Sequence, residues 1–194
     1  MPAKRIALIL GHPDRTSFCG AIADTYVQNA QAAGHEVRSF YLGELDFDPI
    51  LRHGYRQRQT LEPALEQIQQ ALSWAEHLVL VYPVWWGSMP ALLKGLFDRV
   101  LLPGFAFKYR QNSSLWDKLL AGRSAQAFLT MDTPAWYFRW IYKMPAHHQL
   151  KKTILEFCGI KPVRINTFAP VRYASEQQRQ RWLQHVAKIA SSTL

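Results

Sequence analysis

Val79-Leu80-Val81-Tyr82-Pro83-Val84-Trp85-Trp86-Gly87-Ser88-Met89-Pro90, running on into Ala91-Leu92-Leu93-Lys94-Gly95-Leu96-Phe97-Asp98-Arg99-Val100-Leu101-Leu102, reads as a strand, a turn and a helix. The apolar run up to Tyr82 carries no polar alternation, as expected of a strand covered on both faces. Pro83 has no N–H for a ladder and closes it. Pro90 suits the first helical position. Leu92, Leu93, Leu96, Phe97, Val100 and Leu101 recur at helical spacing and give the helix one wide apolar face. Trp85 and Trp86 therefore stand at the carboxyl end of a buried strand, where open α/β sheets bind ligands. By residue type alone the pair suits a hydrophobic lid and a ligand wall equally.

Strand and helix patterns alternate outward from this stretch. Arg5 to Leu10 reads as a buried first strand, followed by the loop Gly11-His12-Pro13-Asp14-Arg15-Thr16 and a helix from about Ser17 to Ala33. Ser17 or Thr16 can cap that helix and Gly34 can end it. Such a loop makes an anion cradle, since the free N–H groups and the dipole of a helix start favour a phosphate. It matches neither a Walker loop nor Gly-x-Gly-x-x-Gly. His35 to Leu42 is a weaker strand that suits a place near the sheet edge, and a long polar connection leads to an amphipathic helix from Thr60 to about Ala75. Gln111 to Arg123 reads as polar turns, Ala125 to Thr130 as the fourth strand and Lys161 to Ala169 as the fifth. A helix spans His147 to Cys158, and Ser175 with Gln178 forms a capping box for the last one. The pattern predicts one three-layer α/β/α domain over 1–194, with a five-stranded parallel sheet of order 2-1-3-4-5.

Composition narrows the function. A hydrophobic share of 48% over 194 residues suits one globular domain. No apolar run reaches the roughly 18 residues of a spanning helix, and the first residues lack a signal-peptide pattern, so a cytoplasmic protein is expected. Cys19 and Cys158 read as small buried thiols, and no metal-ligand spacing is present. The net charge of +9 would suit a phosphate-bearing cofactor, an anionic membrane surface or nucleic acid. Nucleic acid is disfavoured, because no zinc-finger, RNA-recognition or basic heptad signature accompanies the charge.

The segment Tyr82-Pro83-Val84-Trp85-Trp86-Gly87-Ser88-Met89-Pro90-Ala91-Leu92-Leu93-Lys94-Gly95-Leu96-Phe97-Asp98-Arg99-Val100, with Gly104-Phe105-Ala106-Phe107 after it, resembles the flavin-contacting segment of the NAD(P)H:quinone oxidoreductase family. These are flavodoxin-like two-electron reductases. Gly11-His12-Pro13 followed by Ser17-Phe18 resembles that family's flavin-phosphate loop, and Ile154 to Ile160 its helix-end motif. The resemblance implies bound FMN or FAD, NAD(P)H as hydride donor, a ping-pong two-electron reaction, a quinone-like acceptor and a homodimer. It places His12, Ser17, Phe18, Cys19, Pro83, Val84, Trp85, Trp86 and Gly87 at the cofactor, and Thr16, in the same loop, with Thr130, Met131 and Asp132, at the end of the fourth strand, are cofactor candidates by position. Two departures stand out: Cys19 where the family often has Asn, and Asp132 with Pro134 where many relatives have glycines.

Ala135 to Pro145 carries five aromatic rings, Trp136, Tyr137, Phe138, Trp140 and Tyr142, among basic residues. A pocket lid, an oligomer interface and a membrane-surface patch all suit such a segment, and interface composition favours lid plus interface. Tyr137 and His147 have the residue types of the family's quinone proton partners. A contact with a membrane or transporter would run through Trp136, Tyr137, Arg139, Trp140 and Lys143. Two contrasting functions remain: an ancillary flavoprotein subunit of a transporter, and a flavodoxin-like electron carrier, which the basic charge disfavours.

Overall fold

The buried side chains of the first strand, β1 (Arg5–Leu10), alternate between two cores: Ala7 and Ile9 enter one, and Ile6, Leu8 and Leu10 enter another on the opposite face. The computed structural model describes residues 3–192 and repeats this division in β3 (His77–Pro83), where Leu78, Leu80 and Tyr82 face the first core and Val79 and Val81 the second. A strand buried along its whole length has helices on both sides. The first face is covered by α2 (Pro63–Trp74), α3 (Ala91–Val100) and a helix built of α5 (Pro145–His148), a π-helical stretch Gln149–Leu155 and α6 (Glu156–Cys158). The second is covered by α1 (Phe18–Ala32) and α7 (Glu176–Ser191). A short α4 (Ala135–Trp140) lies between β6 (Ser124–Thr130) and α5.

The main sheet is parallel and five-stranded, in the order β2-β1-β3-β6-β7, with β2 (Glu36–Tyr41) and β7 (Val163–Phe168) at its edges. The expected order 2-1-3-4-5 counted only five strands. Two more, β4 (Phe107–Tyr109) and β5 (Trp116–Lys118), form a separate antiparallel hairpin in chain between β3 and β6, so the order reads 2-1-3-6-7. Each hairpin strand is three residues long, too short to show a period of two. Smaller shifts occur at helix starts. Pro90 is the residue before α3 rather than its first, and α2 begins at Pro63 rather than Thr60. Ser175 caps α7 by accepting from Gln178 N–H.

The polar connection before α2 is pinned from below. Arg99 on α3 is fully buried, pairs with Glu62 at 2.8 Å, and donates to the carbonyls of Thr60 and Asp48. At the opposite end of the sheet from the loops described next, His77 lies buried with Nδ1 2.8 Å from Ser124 Oγ. Burial, and after it the positive charges of Lys4, His35 and Arg164, push its pKa down from 6.5 to about 4. The unfolded chain therefore binds this proton more readily than the folded one. Stability is full above pH 6.5 and is lost as pH falls toward about 4, by roughly 3 kcal/mol in all. Urea denaturation from about pH 7 to about pH 4.5 should show the midpoint falling, and less so in His77→Asn. An equal fall in both proteins would contradict this role for His77.

Candidate active site

The loops at the carboxyl ends of β1, β3 and β6 meet in one cleft. Gly11 N–H donates to Val81 O and carries the chain from β1 over the end of β3. Ser17 then caps α1, its hydroxyl oxygen accepting from Gly20 N–H while the hydroxyl donates to Asp14 O. The N–H groups of Phe18 and Cys19 belong to the first turn, which has no intrahelical acceptors. His12 Nδ1 accepts from Asp14 N–H at 2.9 Å, so the neutral ring carries its proton on Nε2. Burial lowers the His12 pKa against the pull of Asp14, which favours that neutral donor form. The loop is clamped from two sides. A Cβ on Gly20 would lie 1.7 Å from Arg15 O, and one on Gly43 1.7 Å from Pro13 O.

At the other end, Val84 N–H donates to Thr130 O, and Trp85 and Ser88 exchange two backbone hydrogen bonds. The two residues between them both have positive φ, 52° at Trp86 and 77° at Gly87. Glycine adopts this at no cost, whereas tryptophan is strained there by about 1–2 kcal/mol. The Trp86 side chain is fully exposed and gains no burial in return. Among the described residues, the N–H groups of Trp86 and Gly87 make no hydrogen bond within the chain. A non-glycine residue held in such a conformation points to function. One tie that holds it is Ser88 Oγ, which donates to Gln149 Oε1 at 2.6 Å, where the π-helical stretch begins.

Ten of the sequence-predicted cofactor residues line the cleft of about 240 Å³: His12, Ser17, Phe18, Cys19, Pro83, Val84, Trp85, Thr130, Met131 and Asp132. The His12 and Trp85 rings meet edge to face at 5.5 Å. Trp86 and Gly87 line an adjoining cavity of about 480 Å³, which shares Val84 with the cleft and is walled by Thr133, Phe138, Tyr142 and Pro145. Thr16 lines neither, because Asp14 Oδ1 accepts both its N–H and its hydroxyl and holds it in the loop. Cys19 Sγ sits 3.1 Å from Thr130 Oγ1, and burial pushes its thiol up to about 12, so it stays protonated. Asp132 ties two loops together: its Oδ1 accepts from Arg172 N–H, and Arg172 Nε stands 3.5 Å from Oδ2.

Neither predicted proton partner lines the cleft or the cavity. Tyr137 turns its ring edge to face against Trp136 and Tyr142. His147 Nε2 lies 2.8 Å from Thr167 Oγ1, under Phe138, and burial lowers its pKa. A helix whose start was read at His147 begins at Pro145, which sets that side chain toward β7. Tyr142 and Phe138 take the wall instead. The segment 135–145 was legible as aromatic, but a six-residue helix gives no periodicity from which to select its inward positions.

These residues fit a flavin nucleotide. One end of the cleft offers helix-start donors and a neutral imidazole N–H for a phosphate, and the other offers two unused backbone donors beside indole rings. The Ser88–Gln149 bond is the part of this frame most open to test. A double-mutant cycle with Ser88→Ala and Gln149→Leu should give a coupling of about 1 kcal/mol in stability, and each single change should weaken flavin retention. Additive effects on both readouts would mean that the bond does not hold the turn.

A sequence profile of the flavodoxin-like fold family matches residues 4–191. A Haemophilus influenzae protein named as an uncharacterised NAD(P)H oxidoreductase is 32% identical over 192 residues, spanning 96% of this chain and 94% of its own. The rat ribosyldihydronicotinamide dehydrogenase [quinone] is 26% identical over 224 residues, spanning 97% and 93%. A crystal structure of a Streptococcus mutans UA159 protein superposes with a TM-score of 0.80 at 30% identity, covering 96% of this chain and 98% of that one. With the fold, the cleft and these likenesses in agreement, the chain belongs to the NAD(P)H:quinone oxidoreductase family of flavodoxin-like proteins.

Proposed function

We propose that the chain carries two electrons from NAD(P)H to a quinone-like acceptor through a flavin held in the cleft at the ends of β1, β3 and β6. It is an oxidoreductase of that family. The observation that carries the site assignment is the turn at Trp86 and Gly87, strained, exposed and with two unused N–H donors beside an aromatic cavity. A bound flavin supplies reversible two-electron redox chemistry. The protein supplies the rest. Phe18 and Cys19 N–H with the Nε2–H of His12 would hold the phosphate, while Ser17, engaged by Asp14 O and Gly20 N–H, fixes the shape of the loop. Trp85 walls the cleft, the Trp86 ring would pack against the flavin, and the N–H groups of Trp86 and Gly87 would stabilise negative charge on it. Val84 and Trp85 N–H are already used by Thr130 O and Ser88 O, so the charge-stabilising role narrows to the following two residues.

The adjoining cavity takes nicotinamide and acceptor in turn, which gives ping-pong kinetics. Tyr142, on that wall, is a better placed proton donor than Tyr137 or His147. We also infer a homodimer. Its support is an apolar hollow of about 540 Å³ between α3, the β4–β5 hairpin and the π-helical stretch, with exposed Tyr55 and Tyr109 at its rim. Two free cysteines suit a reducing compartment and support a cytoplasmic location. The electron-carrier and transporter-subunit readings gain no specific observation.

Steady-state rates measured against NADPH or NADH at several quinone concentrations should give parallel double-reciprocal lines. Trp86→Ala should weaken flavin binding roughly tenfold, taking stacking on aromatic side chains as the guide, and lower kcat. Intersecting lines would contradict the shared cavity. Unchanged flavin affinity and turnover in Trp86→Ala would remove the role given to that ring.

A further inference from the structure

The chain from Thr133 to Leu155 contains no Asp or Glu, yet it includes Arg139, Lys143, Lys151 and Lys152, of which Lys152 is paired with Glu156 at 2.8 Å. Within it α4 buries only Phe138, while Trp136 and Trp140, one helical turn apart and so on one face, are each 63% exposed. Ile141 is 55% exposed beside them. Arg139 lies over the Trp140 ring at 5.5 Å, and Lys143, in a left-handed turn with Met144, ends the patch. The neighbouring Arg172 is engaged by Asp132. The patch is therefore a set of large exposed apolar rings framed by cations, with no carboxylate in its own segment.

We propose that this face docks on an anionic lipid bilayer surface. Indole rings are enriched at the headgroup level, where their apolar body and polar N–H are both satisfied. Arg and Lys stems lie along the apolar surface while their charges reach the phosphates. A second copy of the chain is a poor occupant. An isologous contact must be self-complementary, and the 133–155 segment offers no carboxylate to pair with Arg139 and Lys143 across a two-fold. The apolar hollow at Tyr109 is the better face for a dimer. Docking has a consequence for substrate. Phe138 and Tyr142 belong both to this segment and to the wall of the cavity beside Trp86, so the cavity mouth would open at the membrane interface. Resting on the quinone-reductase reading, this identifies the acceptor class as lipid-soluble, long-chain quinones entering from the bilayer.

The test uses flavin-loaded protein and vesicles of phosphatidylcholine, alone or mixed with phosphatidylglycerol, followed by co-sedimentation and tryptophan emission. The protein should bind the mixed vesicles at least about tenfold more tightly than the zwitterionic ones, with a blue-shifted emission, and raised salt should release it. Trp136→Ser with Trp140→Ser, and Arg139→Glu with Lys143→Glu, should each lose that binding while turnover of a short-chain, water-soluble quinone is unchanged. Absence of binding to both vesicle types, or equal binding by wild type and both variants, overturns the proposal. So does a tryptophan variant whose mass in solution falls to that of one chain, since the face would then be a protein interface. Vesicle binding needs no redox chemistry, so protein that docks without reducing quinones would count against the functional reading alone.

Discussion

Pro83 cannot donate to the sheet and is the last residue of β3, and the site begins just past it. The ladder with β6 closes through Val84 N–H on Thr130 O, and the chain then doubles back through the Trp85–Ser88 bonds. That reversal sets Trp86 and Gly87 at positive φ, and their N–H groups make no hydrogen bond among the described residues. Every other part of the site is positioned relative to this turn. Gly11 is tied to Val81, so the loop after β1 hangs from the same strand, and Gln149 holds Ser88 from the helix behind. Conformational strain is thus retained at the turn on which the proposed flavin site is built.

The two ends of the sheet divide labour. At the amino end His77 and Ser124 lie buried, and Arg99 fixes the long connection from within the first core. At the carboxyl end the same strands release short loops whose backbone donors stay open. An enzyme of this kind needs little side-chain acid–base machinery of its own, because the cofactor carries the redox step and the protein orients and polarises it. The structure accords with this: the one imidazole on the cleft is held neutral, and the thiol beside it is kept protonated by burial.

The sheet strands, the α1 and α3 positions and most of the cleft were legible in the sequence, because a fully buried parallel strand and a capped helix each leave a strong local pattern. Ten of the predicted cofactor positions line one cleft for the same reason: they lie at or just after strands whose ends were easily read. The β4–β5 hairpin was not legible, since three-residue strands carry no alternation. The inward choice of Phe138 and Tyr142 over Tyr137, and the turning of His147 toward Thr167, depend on tertiary packing around a short helix. The glycines that clamp the phosphate loop, Gly20 and Gly43, escaped notice because close backbone approach has no sequence signal of its own.

The central claim is that this cleft holds a flavin that a nicotinamide nucleotide can reduce. Adding NADPH, or NADH, anaerobically to the flavin-loaded protein and following flavin absorbance tests it most directly. Rapid loss of the absorbance, restored by a quinone, is the result expected. Protein that binds flavin but leaves it oxidised with both nucleotides, or that binds none, would contradict the account.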